Sequence, residues 1–297
     1  MKLTILGSGC MVPTKERNHS AYFLSYNGEG ILLDCGEGTQ RQIKKANIKP
    51  TKVTKILLSH WHGDHVLGIP GLLDTLSNSE YSKTLEIYGP KGTKNKIKAL
   101  NKVFDSFRDI KIVVKDIETN GVFLDTKDYK IESYKLNHSI TSIGYRFIEK
   151  DKLRINIAKA KKLKILPGPE MGKLQNGKTI KVGNKTIRAS DVTTLVKGKI
   201  LSYVPDTALT PNCIKIAKDA DLLLCESTYT SEEEKYAKEY KHMTSKFAAT
   251  VAKKSKAKKL VLTHFSQRYK NDSNFLKDAK TTFKNTSCAK DFMEIEL

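Results

Sequence analysis

Three histidines and an aspartate lie close together in the segment Ser59-His60-Trp61-His62-Gly63-Asp64-His65. Imidazole nitrogens and carboxylate oxygens are donors that suit zinc. On an extended loop, side chains two positions apart point the same way, so His60 and His62 can reach one metal ion. Asp64 and His65 can then turn toward a second ion. The segment therefore predicts a metal site that activates water for hydrolysis.

Four apolar runs with the length of strands end in candidate metal ligands. Lys55–Leu58 precedes the histidine segment, Tyr134–Asn137 leads to His138, Ile200–Pro205 leads to Asp206, and Lys259–Thr263 leads to His264. Neighbouring strand ends can bring together side chains that are distant in sequence. The pattern thus predicts a site for two metal ions.

The other apolar runs indicate the elements that must position this site. Runs of strand length also lie at Leu3–Leu6, Ala21–Leu24, Ile31–Leu33, Leu85–Tyr88, Ile112–Val114 and Leu222–Leu224,. Helical patterns lie at Gly38–Ala46, Gly92–Val103, Asn212–Asp219 and Ser231–Lys241. Ser231 and Glu234 have the spacing of a capping box. Because strands outnumber helices, the order favours a layered α/β sandwich over a doubly wound sheet.

The charge of the chain points to a polyanionic partner. Its 297 residues include 53 Lys and Arg against 32 Asp and Glu, a formal net charge of +21. A field of this sign attracts nucleic acids, although a lysine-rich composition is an alternative cause. The length permits one large domain or two small ones.

Residues 150–185 differ from the rest of the chain. Ten basic and two acidic residues lie between Lys150 and Lys181, so this segment carries a net charge of about +8. We expect a single domain over residues 1–297, from which residues 150–185 project as a basic insertion. A solvated loop without a function is the alternative.

The cysteines and the hydropathy indicate a location. Five cysteines are scattered without CxxC spacing, at Cys10, Cys35, Cys213, Cys225 and Cys288. This arrangement argues for reduced thiols and against a cysteine-ligated zinc. No apolar stretch reaches the roughly 20 residues that span a bilayer. We therefore expect a cytoplasmic protein that does not enter a membrane.

The motif His60-x-His62-x-Asp64-His65, with the later ligands, resembles the metallo-β-lactamase superfamily. The resemblance implies a four-layer αβ/βα sandwich that holds two zinc ions per subunit at the edge of its sheets. One zinc would bind His60, His62 and His138. The other would bind Asp64, His65 and His264, and Asp206 would bridge the two.

Further segments are similar to the ribonuclease Z family of this superfamily. They are Gly7–Gly9 with Pro13–Asn18, Asp34–Gln40, Leu166–Lys173, Glu226–Thr228, His242–Thr244 and Thr263–Tyr269. The resemblance implies removal of the 3′ trailer from precursor tRNA by a homodimer, with residues 150–185 as a flexible arm that grips the tRNA. The chain departs from the family at Cys225 and Met243, where histidine and serine are common.

The resemblance also implies a role for individual residues. Asp64 would orient the nucleophile and accept its proton, while His242, oriented by Glu226, would protonate the departing 3′ oxygen. The products would be a 3′-hydroxyl on the tRNA and a 5′-phosphate on the trailer. The implied substrate contacts are Lys15, Arg17, Thr244, Ser266 and Arg268, with Gly168 and Pro169 in the arm.

Two other functions compete with this hypothesis. A small-molecule phosphodiesterase or thioesterase of the same fold would share the metal ligands but would need neither the arm nor the charge of +21. A non-catalytic nucleic-acid-binding protein could keep the fold without the chemistry, but the complete set of ligands argues against it. A cleavage assay with metal analysis separates these alternatives.

Overall fold

The computed structural model describes residues 1–104, 110–183 and 185–297. The chain divides into two compact units. The first comprises Met1–Leu124, Ile131–Phe147 and Ile200–Leu297, and the second comprises Asp125–Lys130 and Ile148–Lys199.

One seven-stranded sheet is built mainly from the first third of the chain. Its strands are β1 (Lys2–Gly7), β2 (Ala21–Tyr26), β3 (Glu29–Leu33), β4 (Val53–Leu57), β5 (Leu85–Pro90), β6 (Ile112–Ile117) and β18 (Glu294–Glu296). Their order is β18-β1-β2-β3-β4-β5-β6. The β3–β6 half is parallel, so the carboxyl ends of these strands share one edge.

A second seven-stranded sheet has the order β17-β16-β15-β14-β9-β8-β7. Its strands are β7 (Gly121–Asp125), β8 (Tyr129–Leu136), β9 (Ser142–Glu149), β14 (Ile200–Val204), β15 (Leu222–Glu226), β16 (Leu260–Thr263) and β17 (Thr286–Cys288). Strands β14 to β17 are parallel. This sheet also brings the carboxyl ends of several strands to one edge.

The two sheets pack face to face in the first unit. The rings of Tyr22 and Tyr203 lie 5.1 Å apart across the interface, and the Tyr145 hydroxyl donates to the Leu58 carbonyl at 2.6 Å. Burial of such aromatic and aliphatic side chains is the main favourable contribution to the stability of a core of this kind.

Helices cover the outer faces of both sheets. They are α1 (Thr39–Lys45), α2 (Gly63–Val66), α3 (Ile69–Ser77), α4 (Thr93–Val103), α8 (Pro211–Ala217), α9 (Glu234–Glu239), α10 (Ser245–Lys254) and α11 (Ser273–Lys280), with 3₁₀ turns at Pro50–Lys52 and Ser231–Glu233. Helices α1, α3 and α4 pack with the first sheet, and α8, α10 and α11 with the second. The predicted four-layer α/β sandwich is confirmed.

The second unit has a small core of its own. Strand β10 (Lys152–Ile155) pairs with β13 (Thr193–Val196), and β11 (Ile180–Val182) pairs with β12 (Lys185–Ile187). Helices α5 (Ile157–Lys162), α6 (Pro169–Gln175) and α7 (Ala189–Val192) complete it. The apolar side chains buried together include Ala160, Ile165, Leu174, Ile180 and Val192. The predicted insertion, residues 150–185, lies within this unit, and its residue 184 lies outside the described residues.

The predicted elements agree with the observed ones except at one helix start. Each predicted strand lies within or overlaps an observed strand. The expected capping box at Ser231 and Glu234 is wrong, because residues 231–233 form a 3₁₀ turn and α9 begins only at Glu234. The Ser231 hydroxyl instead donates to Asp278 at 2.7 Å. In the part of the chain that the structure describes, no helix is long and apolar enough to cross a membrane.

Candidate metal centre

The seven predicted metal ligands lie at the ends of strands in both sheets. The segment from His60 to His65 runs from β4 into α2, and the others follow β8, β14 and β16, at His138, Asp206 and His264. His264 has a positive φ of 61°, an uncommon conformation for a non-glycine residue. Positions distant in sequence are thus brought to one edge of the sandwich.

Three imidazoles and a carboxylate form the first group of ligands. His60, His62, His138 and Asp206 each offer one donor atom, and these atoms all lie within 4.8 Å of one another. Nδ1 of His62 lies 3.1 Å from Nε2 of His60 and 3.2 Å from Nε2 of His138. Burial lowers the pKa of all three histidines. Neutral imidazoles keep a lone pair that can bind a cation.

The second group surrounds His264. Its Nε2 lies 3.3 Å from Nε2 of His65, 3.3 Å from Oδ2 of Asp64 and 3.3 Å from Oδ1 of Asp206. Asp64 is held in place because Oδ2 accepts a hydrogen bond from the Met11 amide at 2.8 Å. These four residues form a second group, which shares Asp206 with the first.

Asp206 faces both groups with different oxygens. Oδ2 lies 3.6 Å from Nε2 of His60, and Oδ1 lies 3.5 Å from Nε2 of His65. Among the described residues, Asp206 Oδ1 is one of few buried side-chain atoms without a hydrogen-bond partner. A buried carboxylate oxygen is costly unless a cation compensates it. The donor set and this oxygen therefore fit a metal cofactor.

Asp34, for which no role was predicted, supports the second group. Its Oδ2 lies 2.8 Å from Nδ1 of His65 and accepts from the Tyr203 hydroxyl at 2.6 Å. Ser59 donates to both of its oxygens. A carboxylate behind a ligand histidine fixes the tautomer and leaves Nε2 free for the metal. Asp34 directly follows β3, so its position at a strand end is the sequence signal that could have identified it.

His242 and Glu226 form a hydrogen-bonded pair beside the metal ligands. Oε1 of Glu226 lies 3.0 Å from Nδ1 of His242, and the His242 ring centroid lies 5.0 Å from that of His138. Glu226 is fully buried and accepts from the Thr207 amide at 2.8 Å. Burial opposes protonation of His242, but the Glu226 carboxylate raises its pKa above the ordinary value. The Glu226 carboxylate therefore favours the protonated form of His242.

Two further side chains at the site were not predicted. The Thr228 hydroxyl lies 3.1 Å from Nδ1 of His242 and 3.0 Å from Nδ1 of His264. Cys10 contributes one atom to a cluster with Asp64 and His264 whose members lie within 4.8 Å. The spacing of the cysteines in the sequence did not indicate this position. A backbone bridge from Gly9 to Phe265 brings Cys10 there.

The predicted substrate contacts in the first unit have different surroundings. Lys15 is exposed, whereas Arg17 is half-buried, lies over the Phe265 ring and donates to the Tyr269 carbonyl at 3.1 Å. Thr244 is buried and caps α10 by accepting from the Phe247 amide. Ser266 is partly exposed, and Arg268 is paired with Glu233 at 3.1 Å.

Gly168 and Pro169 lie in the second unit, where they begin α6. Gly168 has a φ of 149°, and Pro169 occupies the first turn of the helix. Proline fits the first turn because its missing N–H would have no partner in the helix. Gly168, Pro169 and the neighbouring Leu166 are exposed.

Comparison with known proteins identifies the family. A family model described as "Anti-Pycsar protein Apyc1" matches residues 1–143, which is less than half of the chain. Ribonuclease Z of Chlamydia muridarum is 40% identical over 294 residues, which are 99% of this chain and 96% of that protein. Ribonuclease Z of Methanothermobacter thermautotrophicus is 39% identical over 298 residues, which are 100% of this chain and 97% of that protein.

Solved structures agree with this result. The crystal structure of the short form of human tRNase Z matches with a TM-score of 0.75 and 30% identity, over 100% of this chain and 99% of that one. The metallo-β-lactamase fold protein YhfI of Bacillus subtilis matches with a TM-score of 0.73 and 20% identity, over 100% of this chain and 98% of that one, which supports the fold. The chain belongs to the ribonuclease Z family and has the metallo-β-lactamase fold.

Proposed function

We propose that this protein is a zinc-dependent endoribonuclease that removes the 3′ trailer from precursor tRNA. The observation that carries the proposal is the position of the His242–Glu226 pair beside two groups of metal ligands that share Asp206. A proton donor next to a cation site suits cleavage of a phosphodiester, because the departing oxygen needs a proton. Membership of the ribonuclease Z family supports RNA as the substrate.

We propose that the cofactor is two Zn²⁺ ions per subunit. One would be held by His60, His62 and His138, the other by Asp64, His65 and His264, with Asp206 shared. When bound, the ions would lower the pKa of a water molecule and offset the charge of the phosphate oxygens.

Asp64 and His242 would carry out the two proton transfers of the reaction. Asp64, fixed by the Met11 amide, would orient the attacking water and accept its proton. His242 would donate a proton to the departing 3′ oxygen, and Glu226 would stabilise its protonated form. The products would be a tRNA with a 3′-hydroxyl and a trailer with a 5′-phosphate.

RNA would be held by basic and polar side chains around the site and by the second unit. Lys15, Arg17 and Arg268 would contact phosphates, and Thr244 and Ser266 would contact the RNA near the cut. We propose that residues 150–185, with Gly168 and Pro169 at an exposed helix start, form the arm that binds the body of the tRNA. Contacts of this kind recognise shape and depend on salt.

We propose that the protein acts in the cytoplasm as a homodimer in which the arm of one subunit serves the site of the other. The exposed, basic character of the second unit supports an RNA-binding role. Sedimentation of the purified protein, alone and with tRNA, measures the number of subunits.

The deciding experiment uses purified protein and an end-labelled precursor tRNA, with and without a chelator. We expect one cut that leaves a 3′-hydroxyl and a 5′-phosphate, lost on chelation and restored by Zn²⁺. Elemental analysis should find two ions per subunit. Hydrolysis of bis(p-nitrophenyl) phosphate without cleavage of the precursor would instead support a small-molecule hydrolase of the same fold.

A further inference from the structure

A row of aromatic rings leads away from His242. The Tyr229 ring centroid lies 6.2 Å from that of His242, and the Tyr236 centroid lies 6.4 Å from that of Tyr229. Tyr240 lies 6.3 Å from Tyr236, with the two ring planes only 11° apart. We name Tyr229, Tyr236 and Tyr240 the tyrosine row.

The tyrosine row becomes more exposed with distance from His242. Tyr229 is 7% exposed, Tyr236 is 40% exposed and Tyr240 is 51% exposed. Burial of a large aromatic side chain is favourable. The exposed, nearly parallel rings of Tyr236 and Tyr240 are therefore available to stack with another flat, apolar group. The tyrosine row is therefore buried at Tyr229, beside His242, and exposed to solvent at Tyr240.

Arg268 contacts two members of the tyrosine row, Tyr229 and Tyr236. Its guanidinium carbon lies 5.1 Å from the Tyr229 ring and 5.1 Å from the Tyr236 ring. Nη1 donates to Oε2 of Glu233 at 3.1 Å, which holds the guanidinium beside the two rings. The two cation–π contacts order Tyr229 and Tyr236 before any ligand binds,.

We propose that Tyr236 and Tyr240 form a stacking platform for unpaired bases of the RNA, on the side of the cut that keeps the 3′ oxygen. The proposal rests on the proposed function, because it requires His242 to protonate that oxygen. The nucleotide carrying the oxygen must then lie against His242, where the tyrosine row begins. The platform extends from this point toward solvent.

Aromatic stacking suits the substrate class. Every base has a π face, so rings bind unpaired nucleotides with little sequence preference. An enzyme that processes many RNAs of one shape needs such tolerance at the cut. One stacked base contributes roughly 5- to 150-fold in binding.

The first test compares the double variant Tyr236→Ala/Tyr240→Ala with the matched double variant Tyr236→Phe/Tyr240→Phe. Both are loaded with metal and assayed on precursor tRNA and on bis(p-nitrophenyl) phosphate. We expect the alanine pair to lower kcat/KM on precursor tRNA by about tenfold or more, mainly through KM. The phenylalanine pair should stay within about twofold of wild type, and the small substrate should be hydrolysed equally by all three.

The second test measures stacking directly, with a processed tRNA that carries 2-aminopurine as its 3′-terminal nucleotide. Its fluorescence should be quenched on binding to wild type and the phenylalanine pair but not to the alanine pair. Equal quenching by all three, or equal loss of cleavage in both variants, would overturn the platform while leaving cleavage by wild type intact. Failure of wild type to cleave precursor tRNA would overturn the proposed function and the platform together.

Discussion

Oδ2 of Asp34 lies 2.8 Å from Nδ1 of His65, and both side chains are fully buried. The opposite nitrogen of the same ring, Nε2, lies 3.5 Å from Oδ1 of Asp206. A carboxylate on one side of the imidazole thus directs the other side toward the second group of metal ligands.

Replacement Asp34→Asn should weaken metal binding at the second group without removing a ligand. The amide cannot hold the His65 tautomer as a carboxylate does, so we expect the affinity for a metal ion at the second group to fall about 10- to 100-fold. Competition with a chromophoric chelator measures the metal affinity of the variant and of wild type. Asp74→Asn, at an exposed carboxylate on α3, is the control. Unchanged affinity with an unchanged Tm would show that Asp34 does not position His65.

Replacement Glu226→Gln should shift the pH dependence of cleavage. Burial disfavours the protonated form of His242, but the Glu226 carboxylate raises the pKa of this histidine above its usual value. Because a general acid acts in its protonated form, the rate falls as pH rises through this raised pKa. Without the carboxylate charge, the alkaline limb should move to lower pH.

Single-turnover rates on precursor tRNA across pH test this expectation. Glu232→Gln, at an exposed carboxylate in the adjacent 3₁₀ turn, is the matched control and should leave the profile unchanged. An alkaline limb that stays in place in Glu226→Gln would exclude His242 as the proton donor.

Removing three charges from α5 should weaken binding of precursor tRNA while sparing the chemistry. Lys159, Lys161 and Lys162 are exposed and lie outside the buried cluster of the second unit. Their joint replacement by glutamine should raise KM for the tRNA and reduce the salt slope by about 0.7–0.9 per lost phosphate contact. Hydrolysis of bis(p-nitrophenyl) phosphate should not change.

The control for this charge removal is the triple variant Lys94→Gln/Lys98→Gln/Lys102→Gln on α4, where the lysines are equally exposed. It removes the same net charge from the first unit. Equal losses of tRNA binding in both triple variants would show that only the net charge of the protein matters. That result would contradict the proposal that residues 150–185 form a tRNA-binding arm.

A 2′-deoxy nucleotide immediately before the cut should be tolerated. Attack by water leaves the 2′-hydroxyl of the RNA unused, so we expect the cleavage rate to stay within about threefold. End-group analysis of the products measures the outcome, with an all-ribose substrate as control. A 2′,3′-cyclic phosphate would show that the RNA itself supplies the nucleophile.

The positions of the predicted metal ligands could be inferred because the donor residues lie close together in the sequence or directly after a strand. His60, His62 and His65 share one short segment, and His138 and His264 each follow an apolar run. Positions at strand ends converge when the strands are parallel, as β14 and β16 are within their sheet. Donor type and strand position together predicted that these side chains lie close together; their role as metal ligands stays a prediction.

The supporting side chains could not be predicted in the same way, because their roles depend on distant partners. Asp34 acts on His65 only once Tyr203 and Ser59 surround it. Cys10 reaches the metal ligands through pairing of its loop with residues near Phe265. Strands β10, β11 and β12 were also missed, because they are short and each carries a charged side chain.

The ligands are contributed by both sheets, with His60 after a strand of one and His264 after a strand of the other. Bound ions would therefore act as clamps between the two halves of the sandwich. At a free ion concentration about 1,000 times Kd, each clamp adds roughly 4 kcal/mol against unfolding. When the ion is scarce, a larger fraction of the chains would be unfolded. The protein would then be degraded faster, since unfolded chains are targets for proteases.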